Sequence, residues 1–351
     1  MLDLQQTKDK WWDELDLRSR CAWQEPDDVW LKARVGMMTG SKIGVVKGYA
    51  SWQTPLELLT EFRHPEEVKP IEKFSSAWLR MEVGSRAEEP ILETAQADPL
   101  RPGAYQAFDV PGRLIGHPEF EWAGCSPDGL AVSEELGRCL LEAKNTNVGT
   151  LHKYPTDDGT ECMPSQYRAQ VLWNMACCGA DTGILIASFN GDIKYRVVRW
   201  DDDDVALLMS SAAAFLDAVA SDDATKLMDI VEDAAAMNRL ANELFRRSSG
   251  AEYSIADPDL DMCIEQCIDV KRRIKELQEV KDGCEARIKS QMAESKVMET
   301  SKYRVSWGQA QGRTSFDSKA LAAEDPATFE RYNRQGKPYR TGLRMSQRKE
   351  K

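Results

Sequence analysis

Residues 124–144, G-C-S-P-D-G-L-A-V-S-E-E-L-G-R-C-L-L-E-A-K, constrain this chain more than any other stretch. They read as two strands joined by a short, charged connection that contains glycine. The first strand runs into Ser126-Pro127-Asp128-Gly129, and the second is Cys139-Leu140-Leu141-Glu142-Ala143-Lys144. Side chains alternate along a strand, so Glu142 and Lys144 share one face. Leu141 and Ala143 take the other face, which suits a core. If the strands pair, Asp128 comes beside Glu142. Two carboxylates with an adjacent ammonium suit Mg2+, a hard cation that takes oxygen ligands. A cross-strand Lys–Glu pair and an aspartate in a Pro-Asp-Gly turn account for the same residues without an ion. On this stretch alone the two readings stand level.

The rest of the chain supplies the context. Residues 11–30 are aromatic and acidic and read as a helix. In R-V-G-M-M-T-G-S-K-I-G-V-V, starting at Arg34, Thr39-Gly40-Ser41 reads as a turn and cap that open a short helix. Arg34 and Ser41 at a helix N-terminus form a candidate phosphate cradle; an ordinary serine cap beside a surface arginine gives the same pattern. Residues 74–98 have helical periodicity, with Phe74, Trp78, Met81, Ser85, Glu88, Leu92 and Ala95 on one face. Glu88 interrupts that apolar or small stripe, and a carboxylate facing a core is costly unless it is paired or binds a metal. Pro90 implies a kink or break and leaves the register beyond it open.

Residues 105–124 are strand-like and 145–162 form a polar loop. Pro164 opens a helix ended by Gly179, with Tyr167, Gln170 and Asn174 on a polar face of the kind that is ordinarily solvated. Residues 182–189 and 192–200 are two strands, the first almost wholly apolar and therefore central. The four aspartates at 201–204 suit the solvated first turn of the next helix better than a metal site. Amphipathic helix follows to Arg247. Residues 264–292 read as a helical hairpin or short coiled coil, with Cys267, Ile274, Leu277, Cys284 and Ile288 in its seam and Lys281 and Gln291 breaking it. Tyr303, Val305 and Trp307 alternate as a strand, before a small α/β tail with a basic terminus.

Charge excludes less than it first suggests. The formal net charge is −12, opposite in sign to a surface that binds nucleic acid. Residues 201–260 hold fourteen acids against four bases, whereas 334–351 hold seven bases against one acid. The imbalance is local, so the whole-chain charge says little about any one face. Nine cysteines, with no C-x-x-C, fit neither a disulfide framework nor a zinc ribbon, and reduced thiols in a cytoplasm are the simplest account. The acidic N-terminus has no apolar core of a signal peptide, and no apolar run reaches the roughly 20 residues of a membrane helix. No G-x-x-x-x-G-K-[ST] is present, and the histidines, His64, His117 and His152, lie far apart.

In order along the chain, these pieces resemble the lambda-exonuclease branch of the PD-(D/E)XK nucleases, in particular the YqaJ-type viral recombinase family. The resemblance rests on Arg34-x6-Ser41, on Gly84-Ser85-Arg86-Ala87-Glu88, on Ser126-Pro127-Asp128-Gly129-Leu130 with Leu141-Glu142-Ala143-Lys144, and on Tyr167-x-x-Gln170. It implies an α/β (α+β) fold with a mixed central sheet flanked by helices. The core would span residues 1–200, with a helical extension over 201–300 and a small α/β tail over 301–351.

The resemblance also implies site roles. Asp128, Glu142 and the Ala143 carbonyl would hold one or two Mg2+ ions, with Mn2+ as a substitute, and Glu88 would complete the acidic site. Lys144 would orient or deprotonate the attacking water, supported by Gln170 and Tyr167. Arg34 and Ser41 would hold a 5′-phosphate. The implied activity is 5′→3′ digestion of linear duplex DNA, leaving 3′ overhangs for recombination with a single-strand annealing protein. A ring-shaped trimer and a cytoplasmic location in a bacterial or phage-infected host cell are further implications. An endonuclease of the same fold and a non-catalytic DNA-end-binding protein are the alternatives. Closed circular DNA separates the first of these, and the complete acidic set argues against the second.

Overall fold

Every residue of Thr182–Phe189, T-G-I-L-I-A-S-F, is buried, and a strand of that composition needs cover on both faces. The computed structural model supplies it. The structure describes residues 4–19, 34–68, 71–108, 114–147, 149, 163–247, 249–250, 252–312 and 316–334. The chain divides into two compact units, Met1–Leu244 and Phe245–Lys351.

In the first unit a five-stranded sheet has the order β2-β5-β6-β7-β8. Its members are Gln106–Phe108 (β2), Gly129–Ser133 (β5), Gly137–Thr146 (β6), Thr182–Phe189 (β7) and Asp192–Arg199 (β8). Only β6 and β7 run parallel; the other neighbours are antiparallel. A parallel pair requires a crossover, which Ser165–Cys178 (α5) provides. Asp16–Ser19 (β1), Leu114–Gly116 (β3) and Gly124–Cys125 (β4) form a smaller antiparallel sheet. The remaining helices are Leu4–Glu14 (α1), Gly40–Val46 (α2), Pro55–Arg63 (α3), Ser76–Ala97 (α4), Asp202–Ala220 (α6) and Ala234–Leu244 (α7). The expected mixed sheet flanked by helices is therefore present.

Each face of the sheet has its own core. On one, Ile91 and Ala95 of α4 pack with Ala131, Leu141, Ala143, Ile184 and Ile186. On the other, α1, α2, α5, α6 and α7 enclose Leu130, Leu140, Trp173, Phe215 and Leu240. Trp11 of α1 is 1% exposed; its indole donates to the Cys178 carbonyl at 2.6 Å and meets Phe108 edge-on at 5.7 Å. Glycine allows the closest approach of α5 to the sheet, because a Cβ on Gly183 would lie 2.1 Å from Val171.

Several elements differ from expectation. Helix in the 11–30 segment stops at Glu14 and strand β1 follows; residues 20–33 lie outside the described residues. Helix α4 passes through Pro90 unbroken. The carbonyl freed by the missing N–H belongs to exposed Arg86, where water can satisfy it. The anticipated apolar stripe is buried only in part: Phe74 and Met81 are exposed, and the buried residues of α4, Ile91 and Ala95, fall after Glu88. Asp201 caps α6 by accepting from Asp204 N–H, as its acidic first turn suggested. Most of the 145–162 loop and nearly all of the basic terminus lie outside the described residues.

In the second unit, residues 264–292 are not a hairpin. They belong to one continuous helix, Pro258–Met292 (α8), capped by Asp257. Pairs such as Arg272–Glu276 and Lys281–Glu285 reinforce it one turn apart. Val297–Glu299 (β9) pairs antiparallel with Arg304–Ser306 (β10), followed by Ser318–Glu324 (α9) and Pro326–Tyr332 (α10).

Candidate active site

The site sits where β5 stops and β6 continues. Their pairing ends at Gly129↔Leu141, while β6 runs on beside β7 to Thr146↔Phe189. The overhang begins at Glu142, directly across from Asp128. Asp128 is anchored there, because its Oδ2 accepts from the Ala143 N–H at 2.8 Å. The alternation of β6 holds as expected: Leu141 and Ala143 enter the α4 core, and Glu142 turns to the α5 side.

Glu142 is 1% exposed and accepts three hydrogen bonds. Its Oε1 accepts from the Lys144 ammonium and from Gln170 Nε2, the latter at 2.5 Å. Its Oε2 accepts from Asn174 Nδ2 at 3.1 Å. The polar face of α5 is therefore turned into the site and not into solvent. Tyr167, on the same face, has its ring centroid 5.7 Å from Lys144 Nζ.

Glu88 approaches from α4 on the other side of the overhang. Burial pushes its carboxyl up to about 7; Lys144 pulls it down and Glu142 pushes it further up. Burial and the charge of Glu142 raise Asp128 well above the ordinary carboxylate range, against the pull of Lys144. Burial disfavours the Lys144 ammonium, but Glu142 and Asp128 outweigh it and hold the lysine protonated above its usual range. Three carboxylates thus share one ammonium in a poorly hydrated place. This donor set fits a hard divalent cation, for which Asp128, Glu142, the Ala143 carbonyl and Glu88 could serve as ligands. The oxygens of Glu88, Asp128 and Glu142 do not close to within 4.8 Å of one another. Among the described residues only His64, Glu66 and Glu67 do so, and all three are exposed.

A second constellation lies at the start of α2. Arg34 Nη2 donates to Thr39 Oγ1 at 3.4 Å, and Thr39 Oγ1 meets Ser41 Oγ at 3.4 Å. Thr39 occupies the cap position but its side chain makes no capping bond, so its hydroxyl is spent on this cluster. Burial pushes the Arg34 guanidinium down to about 10, against the charge of Cys125, and it remains a cation at neutral pH. Next to Cys125, the Ser126 hydroxyl is buried without a hydrogen-bond partner among the described residues. Helix α2 touches the first constellation through Gly40, where a Cβ would lie 2.2 Å from Asn174 Oδ1 and 3.0 Å from Gln170 Cγ.

Every candidate named from the sequence falls in one of these two constellations. Asn174 and Ser126 are additions. A polar helical face and a serine before a Pro-Asp turn carry bland explanations in sequence, and only tertiary contacts give them weight.

Residues 29–181 match the YqaJ-like viral recombinase domain family. The matched span holds both constellations, from Arg34 to Asn174. Among solved structures, an alkaline exonuclease (LHK-Exo) from Laribacter hongkongensis is similar at 19% identity and TM-score 0.43, over 62% of this chain and 97% of that one. A KSHV SOX–RNA complex is similar at 12% identity and TM-score 0.32, over 62% and 75%. No residue role in the YqaJ-like domain follows from likenesses this distant. No curated protein matches the sequence. Among the described residues, no helix is long and apolar enough to cross a membrane.

Proposed function

We propose that this protein is a metal-dependent exonuclease that digests linear duplex DNA from 5′ ends and leaves 3′ single-stranded overhangs for recombination by annealing. The coarser class, a DNA phosphodiester hydrolase, comes with the YqaJ-like domain. One observation carries the finer reading: the acid-rich site around Glu142 and the Arg34–Thr39–Ser41 cluster meet across Gly40 and α5.

Asp128, Glu142 and Glu88, with the Ala143 carbonyl, would hold Mg2+ or Mn2+. Such an ion supplies Lewis acidity and stabilises charge on the phosphate and the leaving oxygen. Lys144, held protonated by Glu142 and Asp128, stands beside them as a cation that orients water and the scissile phosphate. Gln170 fixes the Glu142 oxygen that also accepts from Lys144, which keeps the lysine in place. Arg34 offers a planar fork to a terminal phosphate. Ser41 is exposed beside Thr39 and completes the cradle. A contact made only by an end explains why cutting would start there. Single-strand annealing protein is the natural consumer of the overhang, and a closed ring of three copies would keep the enzyme on its strand.

The test is digestion of linear duplexes with phosphorylated or dephosphorylated 5′ ends, with and without Mg2+. The expected result is Mg2+-dependent release of mononucleotides, faster from phosphorylated ends, with closed circles intact. Arg34→Ala should abolish the difference between ends. Equal rates on both ends in the wild type would remove the cradle, and cutting of closed circles would make the enzyme an endonuclease.

A further inference from the structure

We infer that Asn174 is a positioning residue that holds Glu142 in register with the end-binding cluster, and that Gly40 is the contact through which α2 sets it. This rests on the proposed nuclease reading and extends it to a residue outside the acidic set. Glu142 Oε1 is held by Lys144 and Gln170, whereas Asn174 is the side chain that the structure gives to Oε2. Without that donor one carboxylate oxygen loses its fixed orientation. Asn174 is 2% exposed, so its amide has little access to solvent. Its Nδ2 faces Glu142 and its Oδ1 lies against Gly40, next to Thr39 and Ser41 of the cradle. Residue 40 has no side chain, and the missing one would occupy the place of the Asn174 amide. One short, doubly constrained side chain therefore spans the gap between phosphate cluster and metal ligand. A partner that orients a ligating carboxylate in this way is worth about tenfold to a hundredfold in metal affinity or activity.

Gly40 gives a test that leaves the amide and the carboxylate chemically unchanged. Gly40 is the first residue of α2 and its φ is not in the left-handed region, so alanine is compatible with the helix backbone there. Its methyl group must instead push Asn174 off Glu142. The experiment uses the full chain as wild type, Gly40→Ala, Asn174→Ala and Gly40→Ala/Asn174→Ala. Three quantities are measured: Mn2+ affinity by calorimetry, kcat and KM on a 5′-phosphorylated duplex, and the thermal midpoint.

Gly40→Ala and Asn174→Ala are each expected to weaken Mn2+ binding and lower kcat by about tenfold to a hundredfold. KM should stay within about twofold, and the midpoints of Gly40→Ala and Asn174→Ala should fall by similar amounts, because both variants break the same buried hydrogen bond. The double variant should lose no more than Asn174→Ala alone, because once the amide is gone the Gly40 methyl has nothing to displace. A Gly40→Ala protein with wild-type affinity and kcat overturns the proposal, as does a double variant whose loss is the product of the two single losses. Should the wild type digest no DNA, the nuclease reading falls alone, and the same pattern in Mn2+ affinity decides the role of Asn174. A wild type that binds no Mn2+ overturns both.

Discussion

Two lysine–glutamate contacts in the first unit, each with one partner fully buried, share their chemistry and differ in what surrounds them. Lys47, 2% exposed at the end of α2, donates to Glu232 and, at 3.0 Å, to Ser211 Oγ; Tyr49 donates to the other Glu232 oxygen. One cation meets one anion there and neutral hydroxyls take the rest. Glu142 and Lys144 are surrounded instead by Asp128 and Glu88, so acid outnumbers base. Burial works to raise Glu232, but the hydrogen bonds from Lys47 and Tyr49 outweigh it and hold the carboxyl below its ordinary range. Around Glu142 the shift runs the other way, with Glu88 and Asp128 both raised. A balanced pair ties elements together; an unbalanced group asks for a further positive charge.

The sharpest way to break this contrast is Glu142→Ala. Removing the carboxylate on which three donors converge should lower duplex digestion by about 10³-fold or more, with the circular dichroism spectrum unchanged. Substantial residual turnover would mean that the acid-rich site is not where cutting occurs. Glu232→Ala tests the opposite member. It leaves buried Lys47 with Ser211 and should lower unfolding stability by about 1–2 kcal/mol in urea titration, less than a fully buried pair because Glu232 is half-open to solvent, while turnover per folded molecule stays at the wild-type value. Unchanged stability would make the pair decorative.

Acidity separates the two groups by sign. Glu88, raised to about 7, favours the metal-free fold most at pH below the ordinary glutamate range, and that contribution is lost as pH rises through 7. Glu232, depressed, contributes above the ordinary range and loses its contribution as pH falls through its lowered value. Metal must displace the proton on Glu88, so Mg2+ affinity should fall by up to about tenfold per unit below pH 7. Calorimetry across pH 6–8 checks this, and a flat profile removes Glu88 from the ligand set. The smallest effect is expected at Arg168–Asp204, a partly exposed pair, where Asp204→Asn should change stability by no more than about 1 kcal/mol in the same urea titration.

Legibility followed how local the cause was. The alternation in β6 and the turn before β5 are local, so Asp128, Glu142 and Lys144 could be placed from the sequence. Glu88 stood out because a carboxylate broke an apolar stripe, although Phe74 and Met81 of that stripe prove to be exposed and only Ala95 is fully buried. Asn174 was visible as polar but not as buried, since nothing in its neighbourhood along the chain reveals that Glu142 lies opposite. Ser126 likewise needed tertiary structure to show that its hydroxyl is left over. Helix α8 read as interrupted because Lys281 and Gln291 break an apolar seam. A broken seam removes a partner's footing without removing the backbone hydrogen bonds of the helix.

The burial of Trp11 has a consequence for moving this domain elsewhere. The span with recognisable kin ends at residue 181, one residue before β7 begins, and starts after α1. A fragment cut to those limits would leave the edge of β6 bare and the Trp11 socket between Cys178 and Phe108 open, and would lack Phe215, Leu227 and Leu240. The matched span and the compact unit thus have different borders in this chain. The portable module is the longer one, up to Leu244 and with the first helix still attached.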